Sequence, residues 1–397
     1  MTQKITLLAY RLVLPILIGA SFNLTAQQAE TVLASADAAE LLLGDAAPTA
    51  ADEEAEDVED KNGLSLSGYV DAYAQYNPIT SDQGEDIPLG FPTSFTGQLN
   101  QFALGNANLL ATQALGKVSF TAQVGFGPRA VAANSDSNLG GAGNFASTIQ
   151  QLFVSYTPAD WITVTLGNFG TFIGYEVIDA PANANYSMSY LFSNGPFYHT
   201  GLKADLVLGE GFGAMVGVFN DTDSKIDAIS GKHIGGQLSV EAGGFAGYLN
   251  GIYGREAQIE VEGGGFEDLN EYEIDLTATY EINDRAMLGL NAARYGTSLE
   301  GTKDEGFFGT ALYATIATGD AAAISLRGEY FTRTLAESAT GDGDSVVALT
   351  ASGNFDVGPL KIIPELRFDT GSSAELGGLV DSDESAFGLL LAGIYSF

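Results

Sequence analysis

Cysteine is absent from the 397 residues, which excludes disulfides, thiolate nucleophiles and cysteine-ligated metals. Histidine occurs twice, as His199 and His233. Neither has an acid or a second imidazole at ligand spacing, so no metal site and no cofactor are expected. Positive charge is scarce as well: 16 Lys and Arg stand against 50 Asp and Glu, a net charge of -34. That balance argues against nucleic acid as a partner and against attraction to an anionic membrane surface. It does not argue against spanning a membrane, because acids can lie in loops and in a wet interior.

Enzyme motifs are missing too. There is no G-x-S-x-G elbow. Gly263-Gly264-Gly265 precedes no helix and has no Lys beside it, so it reads as a turn. An outer-membrane barrel hydrolase is an alternative, and His199 with Ser187 or Ser189 is the one pair that would serve it. The reading is that the chain is not an enzyme.

What is present begins with Lys4 and Arg11, an apolar run from Leu12 to Phe22, and small residues up to Ala26. This pattern predicts a secretory signal peptide at 1–26. No later window approaches the roughly 18 apolar residues of a transmembrane helix. Residues 27–61 are Ala-rich and end in a nearly continuous acidic run from Asp52 to Asp60, expected to form a solvated periplasmic spacer.

From Leu64 the chain alternates. Leu64, Leu66, Gly68, Val70, Ala72 and Ala74 interleave with Ser65, Ser67, Tyr69, Asp71, Tyr73 and Gln75. Period two marks a strand with one apolar and one polar face. Similar runs fall at 64–76, 98–110, 115–127, 147–157, 161–170, 198–208, 211–220, 232–242, 244–255, 270–281, 285–295, 306–317, 322–334, 345–355, 359–369 and 385–397. Tight turns are expected near Gln113–Ala114, Pro158–Asp160, Gly209–Glu210, Gly243, Asn283–Asp284, Gly319–Asp320 and Gly358. Long connections at 77–97, 128–146, 171–197, 221–231, 256–269, 296–305, 335–344 and 370–384 alternate with them. A meander through a bilayer gives this arrangement, with short periplasmic turns and long outer loops. A sheet edge cannot stay open in lipid, so the sheet must close. The expected fold for 62–397 is all-β: a transmembrane antiparallel up-and-down β-barrel of about sixteen strands, within a range of roughly 12–18.

Charged residues lie opposite the apolar face in run after run. Leu360, Ile362, Leu366 and Phe368 alternate with Lys361, Glu365, Arg367 and Asp369. Candidate pore-wall residues are Asp71, Gln75, Lys117, Gln123, Asp275, Arg327, Glu329, Arg333, Glu365, Arg367 and Asp369. The arginines among them would set a transverse field, or would pair with the carboxylates. Tyr69, Tyr73, Phe169, Tyr280, Tyr330 and Tyr395 are expected in the interfacial girdles. The last run is apolar on both faces and stops at Phe397, which resembles the terminal aromatic of barrel strands read by the insertion machinery.

Residues 167–201 stand out as long, aromatic and free of Lys and Arg. The strings G-N-F-G-T-F-I-G-Y-E (167–176), N-Y-S-M-S-Y-L-F (185–192) and G-P-F-Y-H-T-G (195–201) resemble the core signature of the beta-barrel porin family described as OmpL-like (type 2). Met188 departs from a basic residue expected in relatives. The resemblance implies an outer-membrane pore of a Gram-negative bacterium, with no solute assigned. As the third long loop, 171–197 is expected to fold inward as in general porins; an outer aromatic cap is the alternative. Tyr175, Glu176, Asp179, Asn183, Asn185, Tyr186 and Tyr190 would then line the constriction.

Passive diffusion of small hydrophilic solutes and ions, with weak cation preference, is the expected function. A structural or adhesive barrel with a plugged lumen is an alternative. Expected partners are outer-membrane lipid, the insertion machinery and small solutes or cations, with a homotrimer or a monomer as the assembly.

Overall fold

The alternating runs pair into sixteen antiparallel strands in the computed structural model. They are β1 (Ser65–Tyr76), β2 (Gln101–Leu115), β3 (Val118–Phe126), β4 (Ile149–Ala159), β5 (Ile162–Gly170), β6 (Tyr198–Gly209), β7 (Phe212–Phe219), β8 (His233–Ala242), β9 (Phe245–Glu260), β10 (Phe266–Asn283), β11 (Ala286–Ser298), β12 (Glu305–Gly319), β13 (Ala322–Thr334), β14 (Ser345–Val357), β15 (Leu360–Gly371) and β16 (Ser385–Ser396). The structure describes residues 63–78, 90–139, 144–227, 231–260, 266–298, 305–334, 345–371 and 385–397. The expected signal peptide, the acidic spacer and parts of the long connections lie outside the described residues.

Each strand bonds to its neighbours in sequence, and β1 bonds to β16, so the barrel closes. The seam continues past β16, where Phe397 and Gly68 exchange both backbone hydrogen bonds at 2.9 Å. Short turns and longer connections alternate around the ring as the sequence predicts, although β9 and β10 run into most of the connection expected at 256–269. One turn is displaced: β2 runs on to Leu115, and the chain reverses at Gly116 and Lys117 instead of at Gln113–Ala114. Gly116 sits at φ 62°, a left-handed conformation that neither Gln nor Ala adopts without cost.

The outer face is a continuous apolar belt. Leu166, Leu202, Leu238, Ile274, Leu276, Leu326, Leu366 and Leu391 all point away from the barrel and are exposed. Water-soluble monomers rarely expose a contiguous apolar belt of this kind; an outer-membrane barrel turns it to lipid. Exposed aromatics gather near the short turns, among them Tyr156, Trp161, Phe212, Tyr280, Phe355 and Tyr395, and a second set including Tyr76, Tyr253 and Tyr330 lies toward the long connections. These are the girdles. Tyr69, Tyr73 and Phe169 are not part of them. All three are buried inside the barrel, each at 4% exposure. A tyrosine has an apolar body and a polar tip, so alternation alone does not say which face it serves.

A central outward position must therefore reject charge. Leu276→Arg on β10 should cost about 2–4 kcal/mol of folding into liposomes, while Thr279→Arg on the inner face of the same strand should leave the urea midpoint near wild type. Urea unfolding in lipid checks both.

Candidate functional site

After β5 the chain leaves the wall, enters the barrel and rejoins the wall at β6. Residues 171–197 form no strand, so their peptide groups need partners inside the barrel. Wall carboxylates supply them. Glu365 accepts the N–H of Tyr186 at 2.8 Å and of Ser187 at 3.2 Å. Glu329 accepts those of Tyr190 at 2.9 Å and Leu191 at 2.8 Å. These are the first residues of a short helix, α1 (Tyr190–Asn194), whose N-cap Ser189 accepts from Phe192 N–H. Asp275 accepts from Gly174 N–H at 3.1 Å. The wall also donates. Arg327 donates to the Ser187 carbonyl at 2.6 Å, Arg367 to the Met188 carbonyl at 2.8 Å, and Asn354 to the Ala184 carbonyl at 3.0 Å.

Charges pair within the same layer. Arg327 is bonded to Glu176 of the loop, and both side chains are buried. The second oxygen of Glu176 accepts the Ser189 N–H at 2.8 Å. Arg367 pairs with Asp369 at 2.9 Å, and Asp369 also accepts from the Tyr190 hydroxyl at 2.8 Å. Tyr186 donates its hydroxyl to Asp71 at 2.5 Å. Asp179 accepts from Gln123 at 3.0 Å and Gln150 at 2.9 Å. Burial pushes the Asp179 carboxyl above its ordinary range, against the opposing effect of those two bonds. Tyr175 stacks on Tyr313 with ring centroids 4.2 Å apart, and burial pushes its hydroxyl up to about 12, keeping it neutral.

Apolar seats complete the dock. Tyr190 and Leu191 pack on Ala293, Phe307, Ala311, Phe331, Val346 and Ala348 of β11–β14. Ala180 and Tyr186 pack on Ile363, Leu390, Ala392 and Ile394 of β15 and β16. Ile173 meets Phe169, Met215, Phe219 and Ile252 on the opposite wall. Each fully buried side chain of this kind contributes about 1.5–3 kcal/mol.

The remaining predicted residues are placed as follows. Gln75 faces inward and donates to Asn77 at 3.0 Å. Asn183 bonds within the loop, to the Val177 carbonyl at 2.7 Å. Asn185 donates to Ser352 at 2.7 Å. Arg333 donates to Asn194 at 2.8 Å. Lys117 is not on the wall. It lies in the exposed turn between β2 and β3 and donates to the Pro158 carbonyl, because Gly116 carries the turn past the position expected. Phe397 is exposed at the short-turn end of the seam.

Sequence reasoning missed Arg129. It belongs to a second inward segment and is buried, 3.8 Å from Asp71, with its guanidinium over the rings of Phe95 and Tyr186. A lone basic residue in a Gly- and Ala-rich stretch was the available signal. Also missed was the convergence of Asp221, His233 and Glu271. They lie on three separate segments, so no spacing in the sequence announces them. The hydrolase pair does not form: His199 contacts Thr171 at 2.9 Å and stacks on Phe172 and Phe219, while Ser187 and Ser189 serve Arg327 and α1.

Cavities of about 10 Å³ lie between loop and wall at two places among the described residues. One is lined by Gln75, Phe91, Ser187, Glu365 and Arg367, the other by Gly174, Leu191, Glu273, Asp275 and Asn291. That is room for about one water each.

Removing one side of a buried ion pair strands the other. Arg327→Ala should weaken loop docking by about 3–5 kcal/mol and speed hydrogen exchange across 171–197. Lys117→Ala, in its exposed turn, should stay within about 0.5 kcal/mol of wild type.

A family model described as Putative beta-barrel porin-2, OmpL-like, matches residues 63–397. No curated protein matches the sequence. Among solved structures, outer-membrane expressed OmpT of Vibrio cholerae is similar with a TM-score of 0.54 and 12% identity, covering 85% of this chain and 99% of that one. The anion-selective porin from Comamonas acidovorans is similar with a TM-score of 0.53 and 15% identity, over 85% of this chain and 100% of that one. OprB of Pseudomonas putida is similar with a TM-score of 0.53 and 14% identity, over 85% and 94%. At such identities the likeness shows the fold, a closed barrel of the outer-membrane type. Because the family model spans every strand of the barrel, the chain belongs to the OmpL-like beta-barrel porins (type 2) and is an outer-membrane porin of the Gram-negative kind.

Proposed function

We propose that the barrel lets small hydrophilic solutes and ions cross the outer membrane by passive diffusion, with residues 171–197 as its constriction. The observation that carries this reading is the inward course of that loop inside a polar wall. Below it, toward the short turns, the inner face is half exposed and carries hydroxyls such as Thr112, Thr121, Thr163 and Thr279. A wet vestibule therefore leads up to the loop. In this reading 1–26 is removed on export and Phe397 is the insertion signal.

Weak cation preference is part of the proposal. Arg327 and Arg367 offset Glu176 and Asp369, while among the described residues Glu329, Glu365 and Asp275 take their hydrogen bonds from neutral donors. Acids beside an aqueous path raise the local cation concentration, and a net charge of -34 supplies them in excess. The Comamonas acidovorans porin, described as anion-selective, shares the fold, so the fold by itself does not make a pore cation-selective. A homotrimer is proposed on the analogy of the trimer form described for OmpT of Vibrio cholerae.

A plugged structural barrel is the second reading, favoured by the water-sized cavities around the loop. Planar-bilayer recording separates the two. The purified wild type should give stepwise conductance with a cation-side reversal potential in a KCl gradient. Replacing 175–192 by a Gly-Ser linker should raise the conductance several-fold. A silent wild type with a conducting linker variant would establish the plug instead.

A further inference from the structure

At the outer rim, where the β7–β8 connection meets the wall, three ligand-bearing side chains converge away from the loop's own network. Asp221 follows β7, His233 opens β8, and Glu271 lies on β10. One ligand atom from each lies within 4.8 Å of the others. The register explains the meeting. Gly254 of β9 is opposite His233 on one side and opposite Glu271 on the other. A Cβ there would come within 2.4 Å of the His233 ring, so glycine leaves the space in which imidazole and carboxylate approach across β9.

A hydrogen-bonded His–Glu pair accounts for one edge of the imidazole and leaves the other edge unsatisfied. Nε2 of His233 is 2.8 Å from Oε1 of Glu271, and Nδ1 is 4.0 Å from Oδ1 of Asp221. Among the described residues Nδ1 has no hydrogen-bond partner, although the side chain is fully buried. Buried polar atoms without partners need an explanation. Glu271 is oriented by the hydroxyls of Thr222, which donates to Oε1 at 2.7 Å, and Tyr295, which donates to Oε2 at 2.8 Å, as ligating carboxylates are.

We propose that Asp221, His233 and Glu271 bind a divalent first-row transition-metal ion, such as Zn²⁺ or Mn²⁺, at the barrel rim. An imidazole among carboxylates favours this class over Ca²⁺ or Mg²⁺, which take oxygen ligands. Asp221 keeps the site accessible, with its side chain 19% exposed against 0% for His233. The ion links the β7–β8 connection to β8 and β10. Two residues after Asp221, Asp223 accepts the N–H groups of Phe197 at 2.8 Å and Tyr198 at 3.0 Å, where the inward loop rejoins the wall. The ion thus fastens the connection that holds the loop's C-terminal end, whatever passes through the pore.

The test is direct metal binding to the full-length barrel folded in detergent and stripped with chelator. Calorimetric titration with Zn²⁺, and electron paramagnetic resonance of added Mn²⁺, should each show one site per chain. Asp221→Asn, a loop variant that leaves the strands intact, and Glu271→Gln should each weaken binding about tenfold or more. Glu241→Gln, near the opposite end of the barrel, should bind as wild type. Hydrogen exchange at 220–227 should slow on adding Zn²⁺ to the wild type and not to Asp221→Asn. No stoichiometric binding by the wild type, unchanged affinity in both ligand variants, or a site filled by Ca²⁺ and not by Zn²⁺ or Mn²⁺ would overturn the proposal.

Discussion

Wall carboxylates accept the peptide N–H groups of the segment inside the barrel, and the interior depends on that exchange. Glu329, Glu365 and Asp275 would be costly on a dry inner face, because a buried carboxylate without partners forfeits its hydration. The N–H groups of Gly174, Tyr186, Ser187, Tyr190 and Leu191 would be costly in an irregular loop for the same reason. Each set satisfies the other. The inner alternation of the strands and the course of the loop are therefore one arrangement and not two. A neutral wall of the same shape would hold the strands but not the loop.

The apolar seats add direction to this. Leu191, Tyr186 and Ile173 rest on three different arcs of the wall, so the segment is held from several sides and not hinged from one. The two arginine pairs lie between these seats and cross from wall to loop or along the wall. A field across the lumen, one expectation from the sequence, is reduced here to short-range ion pairs.

The strands were legible in the sequence because lipid imposes a strict rule on every second residue. The loop was legible as unusual, through its length and its aromatic content. Its docking was only partly so. A polar inner face has the same alternation whether water or protein covers it, so Glu329 and Glu365 could be read as wall residues but not as caps for Tyr190 and Tyr186. Tyr69 and Tyr73 show the same ambiguity from the apolar side. Lys117 was misplaced by one local fact, the left-handed Gly116 that lengthens β2. The partners of Arg129 and His233 lie far off in sequence and meet only through the closed ring.

The inner face of β16 is apolar, with Leu390, Ala392 and Ile394 buried against Tyr186 and Ala180 of the loop. β16 is also the strand that seals the ring against β1. A last strand with grease on both sides needs lipid without and a packed surface within, and that surface is the docked loop. The segment that narrows the lumen therefore also lines the joint at which the cylinder is sealed, so filling the interior and closing the wall draw on the same side chains.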